Sequence, residues 1–160
     1  MQSRNMSAQA DWQPQTGQHL SILFDIFALG QQVRTLLSAT MQSAGLRPDE
    51  YAAYSVVFEN GPLTATELAR TLGMPITTAA DYVRAMVSRG HLRKDPSPLD
   101  SRAYLLTLTP AGKRAHRRAS ACFDTAYQAL IRELPPVREA AARDLLRHLT
   151  SCAARASAAL

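Results

Sequence analysis

Thr77, Asp81, Arg84 and Ser88 fall on one stripe of a short amphipathic segment, with Thr78 beside Thr77 near its start, while Ala79, Val83, Met86 and Val87 fall on the other side. Hydroxyl, carboxylate and guanidinium groups at that spacing suit hydrogen-bond readout. They can donate to phosphate oxygens and can donate to or accept from base edges in a DNA groove. A second set of polar groups follows: Arg93, Lys94 and Arg102, with Arg89 before them, flank a segment stiffened by Pro96 and Pro98, and their cations suit phosphates. Asp100 precedes Arg102 closely enough to hold it, and Thr64 offers a further hydroxyl at the start of the preceding helix. Bond-breaking chemistry finds no comparable constellation. His19, His91, His116 and His148 lie on different segments without metal-ligand spacing, and no Gly-rich phosphate loop occurs. Asp49 and Glu50 occupy a first helical turn, where negative charge complements the helix dipole. An enzyme, a cofactor and a metal site are therefore not expected.

The elements that must position these groups are legible. Thr64 and Glu67 form a capping box, Ala65, Leu68, Ala69 and Leu72 recur at helical spacing, and Gly73 suits the left-handed residue after the helix. A second helix follows Met74-Pro75 and stops at Gly90. Two helices joined by a tight Gly-containing turn are the arrangement that lays the second helix in a major groove. Beyond Gly90, His91–Lys94 and Tyr104–Leu108 read as the strands of a hairpin, and Thr109-Pro110 restarts a helix with Thr as N-cap and Pro at the first helical position.

These residues resemble the MarR-type transcriptional regulators. Leu72-Gly73, Thr78, Gly90, Asp100-x-Arg102 and Leu108-Thr109-x-x-Gly112 stand in that family's order and spacing, and the likeness is most specific from about Pro62 to Gly112. The resemblance implies a mostly helical homodimer with a small β-hairpin wing, bound to pseudo-palindromic double-stranded DNA and often released by a small ligand. It also implies that Arg102 enters a minor groove from the wing tip. Asp81 departs from the family, where Arg or another phosphate-friendly residue is common, so the base sequence read by this helix does not carry over. Asp81 can accept from cytosine N4, orient Arg84, or serve only as an intrahelical partner.

The rest of the chain frames this lobe. The 160 residues, 46% hydrophobic and 19% charged, suit one globular domain, and 18 basic against 13 acidic residues give a net charge of +5 that suits a polyanion. Residues 1–15, rich in Gln, Ser and Asn, read as a loose arm that Trp12 could pin, and residues 16–160 as a single domain. Within it, 46–110 form the winged-helix lobe, whereas 16–45 and 111–160 form dimerisation helices. The first is too apolar for one face only: Leu20, Leu23, Phe24 and Phe27 share it with Ile22, Ile26 and Leu29. Phe27, Tyr51 and Tyr54 are candidates to line a cleft for an aromatic or phenolic effector, or to be core. Cys122 and Cys152 allow a thiol-based redox switch as an alternative, although buried inert thiols are the preferred reading. A winged helix that binds protein is the third reading. No apolar run is long enough to span a bilayer and the N-terminus is polar, so a cytoplasmic protein without membrane contact is expected.

Overall fold

A computed structural model describes residues 21–98, 100 and 102–159. The expected arm over 1–15, with Trp12, lies outside the described residues, as does the part of the first helix before Ser21. Six helices and one hairpin follow in the order α1 (Ile22–Thr40), α2 (Pro48–Asn60), α3 (Ala65–Leu72), α4 (Ile76–Ser88), β1 (Leu92–Pro96), β2 (Tyr104–Leu108), α5 (Pro110–Glu133) and α6 (Pro136–Ala158). This is the mostly helical winged helix-turn-helix that the sequence predicts.

The local signals act as physics requires. Thr64 Oγ1 accepts from the Glu67 N–H at 3.2 Å and Glu67 accepts from the Thr64 N–H at 2.7 Å, so two otherwise orphaned donors are satisfied and α3 starts there. Gly73 then turns the chain in the left-handed conformation, φ 63°, which a Cβ would disfavour. Thr109 caps α5 by accepting from the Gly112 N–H at 3.1 Å, and its own hydroxyl donates to the Gly90 carbonyl at 2.7 Å. One threonine thereby ties the end of the helix-turn-helix to the start of α5.

The core lies around α2. Ala53, Tyr54 and Val57 from α2 meet Leu68 from α3, Ala79, Val83 and Met86 from α4, Leu106 and Leu108 from β2, and Ala115 and Ala119 from α5. Each large side chain removed from water in this way contributes about 1.5–3 kcal/mol. The hairpin pairs Leu92 with Leu108 and Pro96 with Tyr104, so Asp95 and Pro96 belong to the strand and not to the tip as expected. Pro96 sits at the end of the ladder, where its missing N–H costs least. Leu63 also pairs with Leu106 and adds a third, single-residue edge that the sequence reading missed, since an isolated bridge has no periodicity.

Two further expectations shift. Val87, assigned to the inner face of α4, is 40% exposed because the helix turns that position toward the wing and away from α2. The first helix ends at Thr40, whose hydroxyl back-bonds to the Leu36 and Leu37 carbonyls, and the chain then folds Met41 and Ala44 into the core. None of the described side chains of α6 is buried.

Candidate nucleic-acid interface

The interface is built on α4, which α3 and α2 hold from behind through Ala79, Val83 and Met86. Its outer stripe carries Thr77, Asp81, Arg84 and Ser88, all exposed, with Thr78 half-buried beside them. Asp81 Oδ1 accepts from Arg84 Nη1 at 2.8 Å, an i,i+3 pair whose side chains are 68% and 75% exposed. Ser88 turns its hydroxyl back onto the Ala85 carbonyl at 2.9 Å.

Between α4 and the hairpin runs a groove of about 550 Å³, lined by Thr64, Arg84, Val87, Lys94, Asp100, Arg102 and Tyr104 among others. It brings together five of the residues expected to touch DNA: Thr64, Arg84, Lys94, Asp100 and Arg102. Thr64 contributes little free polarity, since its hydroxyl is engaged in the α3 cap. Asp100 Oδ1 accepts from the backbone N–H of Arg102 at 2.9 Å, so it fixes the backbone that carries the guanidinium. Strand alternation separates the other two cations. Lys94 faces the groove, with Nζ 4.8 Å from the centre of the Tyr104 ring, while Arg93 lies on the opposite face paired with Asp95 at 2.8 Å. Tyr104 was missed, although its alternation with Leu106 and Leu108 on β2 places it on the same face nearer the tip.

Behind the groove a polar network fixes the end of α4. Glu50 is buried; Oε1 accepts from Arg89 at 2.8 Å and Oε2 from the Arg47 N–H at 2.9 Å. Burial alone would push this carboxyl up, but the Arg47 N–H and the Arg89 guanidinium outweigh it and hold it below its ordinary value. Arg89, the residue that ends α4, is thus bound inward and not offered to phosphate. Tyr54, also buried, places its hydroxyl 2.8 Å from His91 Nδ1, at the entry to β1. Burial lowers the His91 pKa, and the Arg89, Arg118 and Arg114 cations lower it further. Lys113, Arg114, Arg117 and Arg118 are exposed along α5.

Known proteins are similar to this chain in sequence and fold. The sequence profile of the family described as sugar-specific transcriptional regulator TrmB matches residues 41–111. A curated relative from Thauera aromatica, described as a transcriptional regulatory protein for the hcr operon, is 29% identical over 93 residues, 58% of this chain. The chain spans only 54% of that relative's length. A probable transcriptional regulator from Pseudomonas aeruginosa is 26% identical with a TM-score of 0.73, over 81% of this chain and 96% of its own. PcaV of Streptomyces coelicolor, solved with its natural ligand, is also 26% identical with a TM-score of 0.73, over 86% and 99%. A MarR-family regulator from Rhodococcus sp. RHA1, at 22% identity, has the same fold with a TM-score of 0.73 over 80% and 91%. The chain has the winged-helix fold of the MarR-type transcriptional regulators. CouR bound to a 23-mer DNA duplex shares the fold at 23% identity, with a TM-score of 0.70 over 83% of this chain and 92% of that one. The profile match stops at the first turn of α5, whereas the MarR-type likeness continues into the flanking helices.

In this MarR-type fold the three candidate effector residues do not share one cleft. Tyr54 is a core residue, Phe27 is 66% exposed on α1 beside Leu23 and Phe24, and Tyr51 is half-buried. Tyr51 instead joins a ring cluster between α2 and α5. The His116 ring lies 5.4 Å from Tyr51 and 4.4 Å from Phe58, nearly parallel to both, and Phe123 packs on Tyr51 at 5.1 Å. His116 Nε2 bonds Ser55 at 3.2 Å while Nδ1 is buried without a hydrogen-bond partner, and burial lowers its pKa. Both thiols are free: Cys122 lies 3.8 Å from the Ser43 hydroxyl, and Cys152 lies 3.6 Å from His148 and 3.3 Å from Arg155. No group of His, Cys, Asp or Glu disposed to hold a metal ion occurs among the described residues. Among them, too, no helix is long and apolar enough to cross a membrane.

Proposed function

We propose that the protein is a sequence-specific DNA-binding regulator that acts as a dimer on a pseudo-palindromic operator. The groove between α4 and the hairpin carries this reading, because it gathers Arg84, Lys94 and Arg102 on one rigid surface with Asp100 fixing the wing tip. In the complex the two α4 helices enter successive major grooves about 34–36 Å apart. The Arg102 guanidinium enters the flanking minor groove, where the negative potential is strongest. The bare apolar faces of α1 and α6 are the surfaces for the second subunit: Leu23, Phe24 and Phe27 are more than half exposed, as is Leu145.

The regulator is a repressor, since a protein that occupies a promoter blocks it without further machinery, and a small aromatic or phenolic ligand releases it. The ring cluster of Tyr51, Phe58, His116 and Phe123 supports that chemistry better than Tyr54, whose ring is already filled around. The ligand acts only through its differential affinity for the DNA-competent and released states. Binding to a pool of random duplexes at two salt concentrations, for wild type and Arg102→Ala, tests the reading. A palindromic site should be enriched, with weaker binding at high salt and by the variant. Sequence-blind binding that is equal in both proteins overturns it.

A further inference from the structure

We infer that Asp81 and Arg84 act together as the reader of one G·C base pair in each half-site, with the guanidinium on guanine and the carboxylate on cytosine. The inference rests on the DNA-binding reading above and names the base pair that α4 selects. Three observations carry it. The two side chains project from the outer stripe of α4, each more than two-thirds exposed, so neither is committed to the core. They are already joined, Arg84 Nη1 to Asp81 Oδ1 at 2.8 Å, so a donor group and an acceptor group stand side by side at a fixed separation. Arg84 also lines the groove shared with the wing, the surface that the DNA-binding reading turns toward the duplex, and Asp81 adjoins that groove through its bond to Arg84.

The major-groove edge of a G·C pair offers two acceptors, guanine N7 and O6, followed by the cytosine N4 donor; an A·T pair offers acceptor, donor, acceptor. A guanidinium that spans both guanine acceptors, with the carboxylate on cytosine N4, complements the first order; the same placement on an A·T pair sets a guanidinium N–H against the adenine N6 donor and the carboxylate against thymine O4. The pair engages one nitrogen of Arg84 and one oxygen of Asp81, and each group has further hydrogen-bonding atoms for the base edge. Asp81 exacts a cost, because a carboxylate near phosphates repels them, and this gives the pair its signature. Its removal should strengthen binding to unrelated DNA while weakening discrimination. A carboxylate that served only as an intrahelical partner would not redirect base preference.

Sites selected from random duplexes by the full-length wild type, Asp81→Asn and Arg84→Ala decide the matter. The side chains are solvent-exposed, and circular dichroism verifies that the variants fold. Wild-type sites should carry a G·C pair at the same place in both half-sites, and replacing it with A·T should weaken binding about tenfold. Asp81→Asn should lose that discrimination or move it toward A·T, since an amide can pair with adenine N6 and N7, and should bind unrelated duplex more tightly. Arg84→Ala should lose the guanine preference and bind more weakly. If wild type and Asp81→Asn select the same base at every position, the base-pair assignment is overturned while the DNA-binding reading stands. If the wild type selects no site at all, both fall.

Discussion

Glu50 shows how much one buried group can hold in place. It looks in the sequence like ordinary first-turn acidity, and part of its role is that, since it completes the α2 cap through the Arg47 N–H. Its second bond, to Arg89, links α2 to the end of α4 across a distance in sequence that no local pattern reveals. Glu50→Gln should therefore cost about 1–2 kcal/mol, measured as a shift of the urea midpoint at neutral pH. Because the folded carboxyl titrates below its ordinary value of 4.5, this stabilisation is present above that pH and is lost as pH falls through the lowered value. The gap between the two proteins should close in acid. His116 has the same sign. Its pKa lies below 6.5 in the fold because its ring is buried, so the unfolded chain takes up a proton first and stability falls as pH drops below 6.5. His116→Phe keeps a flat ring between Tyr51 and Phe58 and removes the unpartnered nitrogen. Its thermal midpoint should fall less than that of the wild type on acidification; an equal fall would assign the acid sensitivity to other groups such as His91.

The elements joining the DNA-facing lobe to the outer helices meet where α5 starts. Gly112 packs there against the His91 backbone, and a Cβ at that position would collide with the His91 carbonyl. The same carbonyl accepts from the Thr109 N–H at 3.0 Å, so the approach is enforced from both sides. Gly112→Ala should accordingly lose roughly 1–3 kcal/mol of stability through forced backbone shifts, read as an earlier denaturation midpoint. An unchanged midpoint would show that α5 slides freely on β1. The capping motifs of α3 and α5 were readable because a cap is a local bargain between neighbours. Arg93 and Lys94 were not separable as adjacent letters, and only the register of β1 on β2 sends one into the groove and the other away from it.

Viewed as a whole molecule, the chain has its filled core around α2 and leaves apolar rows bare on α1 and α6. A charge placed in such a row should prevent burial against a second copy. Phe24 is 57% exposed, so Phe24→Glu should leave the winged-helix lobe folded but, on the dimeric reading proposed above, run as a monomer in light scattering. A variant that remains dimeric would move the interface elsewhere. On the dimeric reading proposed above, DNA affinity should fall as dimerisation is lost, since one subunit on one half-site binds weakly. By itself the sequence determined the helix-turn-helix, its caps, the position of the wing and the excess of positive charge, because these depend on spacing along the chain. Tertiary structure alone decided that Tyr54 is core, that Arg89 is bound by Glu50, that Tyr104 supports Lys94, and that Tyr51 belongs with His116 and Phe123. Each of those outcomes depends on which surfaces of distant segments meet, and side-chain periodicity records only that a face is apolar, never which partner fills it.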